Sequence, residues 1–507
     1  MTLLTRKIII VVLISAALFS VVFFFSVVFF HNDNSSKIEE RGEKYGNSYF
    51  YKYKDKIYVL LYGDGMVEVE GADISTFRAF DKDKKDESGN VGFDKNRVYF
   101  GNIPVSDLNP NKLYYVGNNY YSDGTNHYFC SISSKSNGEL SAGNEMIQNM
   151  SHLIFKTKKT QSYIYPYKKL QTNKKLQVIE DLPNFATGGE ELYYMGEILP
   201  NADINTFKKI DENLNSVYFA DKDNVYYKSK LLPIKNNGNL KVFQENNLTI
   251  FYLYDDENGN IFANDCPFDA THSPYKVIGN GGEHSYNLFF IGKDGVYFYN
   301  PKKGKQEKIG NNIFQGETKE ISSNVFSDDE NIYFLDAFEI RVKPMAYYNK
   351  IFFKKNLGDN QLISLNSGIY YLDKKSGWEK VKDIRNAEAG TIWKKGSKYY
   401  YFDNSGIPQL IYYPVYEISD KKTLDYLLTC SKSNAINFEE EIRTLIDDNK
   451  LIAVKGKEKM TAVIEYIENP YEISIAKVAI LFIGVMIGAY LEYIKKKRAN
   501  QQHNRSL

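Results

Sequence analysis

Four stretches of this 507-residue chain repeat one local pattern: a polar turn, an aliphatic residue, then two aromatics. They are Asp94-Lys-Asn-Arg-Val-Tyr-Phe100, Asp221-Lys-Asp-Asn-Val-Tyr-Tyr227, Gly292-Lys-Asp-Gly-Val-Tyr-Phe298 and Asp328-Asp-Glu-Asn-Ile-Tyr-Phe334. Looser copies centre on Tyr58, Tyr114, Tyr128, Tyr193, Phe352, Tyr370 and Tyr399. Apolar residues also precede the turns, as in Val217-Tyr-Phe219 and Leu288-Phe-Phe290, so the unit reads strand, turn, strand, which is a β-hairpin. The opening Asp can bond its own turn backbone. Asn224, Gly295 and Asn331 at the last turn position suit a positive φ, a pattern from which Arg97 departs. Adjacent aromatics point to opposite faces of a strand, so one ring enters a core while the other faces outward or meets a second layer. The 42 Tyr and 32 Phe, against 2 Trp and 13 Pro, agree with strands. The fold expected is an all-β array of antiparallel hairpins, propeller-like or a meandering stack, and irregular repeat spacing weighs against a ring.

A second element follows some hairpins. Gly71-Ala-Asp-Ile-Ser-Thr-Phe77 and Asn201-Ala-Asp-Ile-Asn-Thr-Phe207 are nearly the same sequence, the latter preceded by Tyr193-Tyr-Met-Gly-Glu-Ile-Leu-Pro200, and Val105-Ser-Asp107 is a weaker copy. Asp73 and Asp203 invite a catalytic reading. The pattern fits better with an Asx-type turn or helix cap whose Phe plugs the core. Together these motifs resemble the DKNYY family over about Tyr58 to Leu232, fading to the bare hairpin pattern up to about Tyr401. The resemblance implies a repeat-built bacterial protein, exported or membrane-attached, and it carries over no activity and no functional residue.

Both ends of the chain are apolar. Ile8 to Phe30 follows Arg6 and Lys7, and Ile473 to Ile494 precedes Lys495, Lys496, Lys497 and Arg498. Each run is long enough to cross a bilayer as a helix, with basic residues on the terminal side. The expectation is therefore a two-pass protein with transmembrane helices flanking the β-region, both termini cytoplasmic, and membrane lipid as a partner. Gly484 and Gly488 form a GxxxG suited to helix pairing. The expected divisions are residues 1–33 (first helix), 34–235 (DKNYY-like repeats), 236–419 (degenerate repeats), 420–471 (a small α+β connector) and 472–507 (second helix and tail). In the connector, Asn437 to Ile446 reads as a helix with Asn437 and Glu440 as capping pair, and Lys450 to Ile467 as a hairpin around Gly456-Lys457.

Chemistry is sparse. A net charge of +1 supplies no field for nucleic acid. Cys130, Cys266 and Cys430 contain no CxxC and leave room for one disulfide at most. The six His show no HExxH, and the loop from Asp81 to Gly89 fails the calcium pattern because Lys85 and Asp86 stand at its fifth and sixth positions. Asp255-Asp-Glu-Asn-Gly-Asn260 reads as a hairpin turn, and Gly188-Gly189 and Gly281-Gly282 open no phosphate-binding helix. No catalytic, cofactor or metal residue is assigned. Exposed rows of Tyr would offer a platform for sugars or peptides. The expected function is non-catalytic binding or envelope interaction. The alternatives are an envelope hydrolase with dispersed carboxylates and a ligand sensor.

Overall fold

A computed structural model describes residues 35–80, 89–141, 144–145, 148, 161–211, 217–244, 250–279, 286–342, 361–405, 411–429 and 438–468. Among them the strands form seven four-stranded sheets, two five-stranded sheets and one two-stranded sheet, antiparallel throughout. The hairpins read from sequence are the inner pairs of these sheets. Val91–Phe93 with Val98–Phe100, Tyr218–Ala220 with Asn224–Tyr227, and Val325–Ser327 with the start of Asn331–Val342 are three of them. An outer strand adds to each side. Arg78–Ala79 and Ile103–Val105 complete the sheet at 78–105, as Lys208–Lys209 and Lys230–Lys235 complete that at 208–235.

Contacts divide the chain into two compact units, Met1–Lys209 with Asn215–Asn236 and Ile210–Leu214 with Asn237–Leu507. The first holds the sheets at 43–68, 78–105, 114–169, 176–198 and 208–235. Here both rings of the pair Tyr99–Phe100 are buried, because consecutive sheets pack face against face, while Tyr226 is buried and Tyr227 half-buried. Tyr99 and Phe100 are each 0 % exposed. Tyr99 lies 6.1 Å from Phe77, which meets Phe50 of the preceding sheet, whereas Phe100 lies 5.8 Å from Tyr121 of the following one. In the second unit, Tyr297 joins a core with Tyr252 and Phe290, and Phe298 joins one with Phe326 and Leu335 on the other face. A ring of this size buries on the order of 200 Å², or about 5 kcal/mol of transfer free energy before entropy is charged. The aromatic pairs therefore drive the stacking of sheets, and turn hydrogen bonds, worth about 1 kcal/mol each, fix register.

Several expectations need correction. Asn224, Gly295 and Asn331 do not take the positive φ their residue types suit, and Arg97, which departs from that pattern, does not either. Positive φ pairs occur instead at Lys54–Asp55, Asn118–Asn119 and Met195–Gly196, the two-residue turns whose twist suits a tight hairpin. Residues 450–467 form no hairpin. Leu451–Ala453 is the edge strand of the sheet at 378–453, and Lys457–Glu468 pairs along Gln361–Lys374 as fifth strand of another. The helix read at 437–446 is present as Phe438–Asp447, and a further helix, Lys421–Thr429, shares its core: Leu424, Leu427, Phe438 and Ile442 pack with Tyr401 and Tyr416.

The expectation of flanking transmembrane helices is also corrected. Among the described residues no helix is long and apolar enough to cross a membrane. The longest, Phe438–Asp447, has 10 residues, and at 1.5 Å per residue it reaches about half of a 30 Å hydrocarbon core. The described architecture is many small antiparallel sheets, and among the described residues no helical element carries lipid as a partner through two helices or a two-pass location with cytoplasmic termini. The apolar runs Ile8 to Phe30 and Ile473 to Ile494, with Gly484 and Gly488, lie outside the described residues.

Candidate functional site

Where a motif opens with Asp, that carboxylate collects hydrogen bonds from its turn, its connector and a ring. Asp94 Oδ1 accepts from the backbone N–H of Asn96 (2.7 Å) and Arg97 (2.8 Å). Its Oδ2 accepts from the Tyr99 hydroxyl (3.1 Å) and from the N–H of Asp73 (2.8 Å), 21 residues upstream. Asp221 repeats the arrangement with Asp223, Asn224, Tyr226 and the upstream N–H of Asp203, and Asp328 with Glu330, Asn331, Tyr333 and that of Gln315. Asp123 does so with Thr125, Asn126 and Asn109, its tyrosine Tyr128 turning instead to Asp107. One buried carboxylate thus closes its own turn, ties down the chain arriving from the previous sheet, and orients a core ring. Because the turn N–H groups are collected by a side chain, the last turn position needs no positive φ, which is why Arg97 fits there.

Electrostatics follow from these contacts. Burial pushes the carboxyls of Asp221, Asp328 and Asp123 up, but the backbone N–H donors outweigh it and hold them below the usual carboxylate range. Burial and the adjacent carboxylate push Tyr99 and Tyr333 up to about 12, so each hydroxyl stays a donor.

The second motif belongs to the same lock. Asp73 Oδ1 accepts from the N–H and hydroxyl of Ser75, and Asp203 Oδ1 from the N–H of Asn205, forming Asx turns. Lys95 pairs with Asp73 at 2.6 Å and Lys222 with Asp203 at 3.3 Å, while Thr76 and Thr206 accept from the N–H groups of those lysines. Phe77 and Phe207 then enter the cores. The Asp-Lys pair of one motif and the Ala-Asp-x-x-Thr-Phe of the other were two patterns in sequence and are one contact set in space.

The remaining sequence candidates are placed as follows. Asp255 accepts from the N–H of Glu257 and Asn258 and from the amides of Asn237, Asn258 and Asn260, a ring of donors rather than the oxygen shell a cation needs. Residues 81–88 of the calcium-like loop lie outside the described residues, as do Cys430, Gly281, Gly282, His31, His152, His284 and His503. Gly188 ends a strand and pairs with Leu176. Cys130 is buried and unbridged, with its thiol pushed up by burial, and the Cys266 thiol faces the Gly304 carbonyl at 3.7 Å. His127 is buried and His272 is half-exposed, its Nδ1 2.8 Å from Asp294. Among the described residues no group of three or more His, Cys, Asp or Glu could hold a metal. The Tyr rows are mostly interior: Tyr99, Tyr120, Tyr193, Tyr218, Tyr226 and Tyr401 are fully buried.

Sequence reasoning missed one feature. A cavity of about 180 Å³ lies between the strand Lys276–Ile278 and the hairpin at 319–327, within the second unit. Lys276, Gly279, Thr318, Glu320, Asn324 and Phe326 are among its lining residues. Glu320 is, among the described residues, the one carboxyl raised above its ordinary range; its side chain is exposed by area, so the surrounding density of protein, without a counter-charge, is the cause. The Asn at the head of an inner strand recurs as Asn90, Asn287 and Asn324, a signal that could have pointed here.

Stacked meander sheets, several of them pinned by a buried carboxylate, define a repeat-built β-protein. The model of the DKNYY family matches residues 50–230, and this segment is similar to that family. No curated protein and no solved structure matches the chain.

Proposed function

We propose that the chain is a non-catalytic binding protein in which the repeats build a scaffold and ligands are met by residues between the motifs. What supports this is the saturation of the motif carboxylates. Asp94, Asp221 and Asp328 each accept at least four hydrogen bonds from turn, connector and tyrosine donors, leaving no lone pair directed at a substrate. A hydrolase working with two carboxylates needs one held protonated beside one ionised. Among the described residues Glu320 alone has a raised carboxyl, and a single acid does not make that pair.

Incubating the full chain with arrays of glycans and peptides, and recording both retention and products, tests the reading. Ligand retained and recovered intact is the expected result. Product release that Glu320→Gln abolishes would establish the hydrolase instead.

A further inference from the structure

The cavity beside the hairpin at 319–327 contains two polar side chains for which the protein supplies nothing. Asn324 is 1 % exposed, and neither its Oδ1 nor its Nδ2 has a hydrogen-bond partner. Thr318 is 5 % exposed, and its Oγ1 is likewise unpaired. A buried polar group left unpaired is destabilising, so a fold retains it where something else completes it. The related Asn90 donates to the Ser131 carbonyl at 2.7 Å and Asn287 to Ser367 Oγ at 3.3 Å; Asn324 differs in lining the cavity with its carboxamide unpaired. The hairpin carrying it is fixed from behind, since Asn404 Oδ1 accepts from the N–H of Ser323 (3.0 Å) and from the Ser322 hydroxyl. The carboxamide is therefore held in place without being used.

We infer that this cavity is a binding subsite for a neutral polyhydroxyl ligand of about the size of one sugar residue, taken by Asn324 and Thr318. Its chemistry follows from the lining. A carboxamide offers a donor and an acceptor side by side, the match for two neighbouring hydroxyls, and the Thr hydroxyl can serve as either. Lys276 and Glu320 line it with opposite charges, which disfavours a net anion or cation. The Lys276 ammonium is engaged by the Thr318 carbonyl and lies 3.8 Å from Glu317, so it contributes shape more than free charge. Phe326 and Leu335 supply apolar surface for C–H faces. The volume, at about 30 Å³ per water, equals roughly six waters, enough for one ring and too small for a chain.

This inference rests on the binding reading above and is tested separately from it. Saturation-transfer NMR and calorimetry on the full chain, with a panel of neutral hexoses and N-acetylhexosamines and with glutamate and lysine as charged controls, should show millimolar or tighter binding of a neutral sugar. Asn324→Leu and Thr318→Val should each weaken it at least tenfold, while unfolding by denaturant shows both variants folded. Absence of binding across the panel, or binding undiminished in Asn324→Leu, overturns the subsite and shows the cavity to hold water only. If the arrays still retain a ligand in that case, the binding function stands on another surface.

Discussion

Cutting the carboxylate from a lock and cutting only the hydroxyl that meets it should have unequal effects. Asp221→Ala strands the N–H groups of Asp203, Asp223 and Asn224 in a buried site and is expected to cost about 2–4 kcal/mol. Tyr226→Phe keeps the ring and loses the hydroxyl's bonds to Asp221 and to the Pro200 carbonyl, for about 1 kcal/mol. Urea unfolding of the two variants checks the ratio. The same residues set an acid limit. Asp123, Asp221 and Asp328 release their protons at lower pH folded than unfolded, so their contribution is complete above the unfolded value of about 3.9 and is lost as pH falls through the folded values. Stability should decline below about pH 4, and Asp221→Asn, which has no proton to take up there, should flatten that decline in an acid titration followed by circular dichroism. The turn role of these Asp residues was legible because Asx chemistry is local. The third partner was not: it is a backbone N–H 13 to 21 residues upstream, and a backbone amide has no letter in the sequence.

Strands were legible in proportion to their burial. Val98–Phe100 and Asn224–Tyr227 carry the contiguous aliphatic and aromatic residues that mark a strand packed on both faces. Outer strands such as Lys208–Lys209 are two exposed or half-exposed lysines, held by ladder hydrogen bonds alone, and nothing in their side chains announces them. The strand Lys457–Glu468 was misassigned for another reason. Its alternation was visible, but its partner at 361–374 is distant in sequence, and pattern alone does not choose a partner. Close packing between elements yields a sharper test at Gly92, in the middle of Val91–Phe93. A Cβ there would stand 2.5 Å from Phe77 Cζ and 3.1 Å from Phe50 Cζ. Gly92→Ala should therefore destabilise by about 1–3 kcal/mol through overpacking, although alanine favours a strand no less than glycine does. Pairing it with Phe77→Leu, which frees volume at the contact, should recover part of the loss in a double-mutant cycle.

At the scale of the molecule, the two units can be watched separately. The chain has 2 Trp, and both Trp378 and Trp393 belong to the sheet at 378–453, so indole fluorescence reports on the second unit. Circular dichroism reports on both. Asp221→Asn, in the first unit, should shift part of the dichroism transition to lower urea and leave the fluorescence midpoint in place; coincident shifts of the two signals would mean that the units unfold as one. The division into repeats was readable from the spacing of the motifs, whereas the grouping of sheets depends on contacts that no single motif encodes. The locks also bear on how such a chain can change length over generations. Acceptor, turn donors, upstream donor and ring all lie within one short contiguous stretch, from Asp73 to Tyr99 or from Asp203 to Tyr226. Copying that stretch in the gene copies a finished joint, so the array can lengthen or shorten by whole sheets without waiting for a matching mutation elsewhere. The sheet closed by Lys457–Glu468 has no such freedom, because its last strand is encoded far from the other four and must be inherited with them.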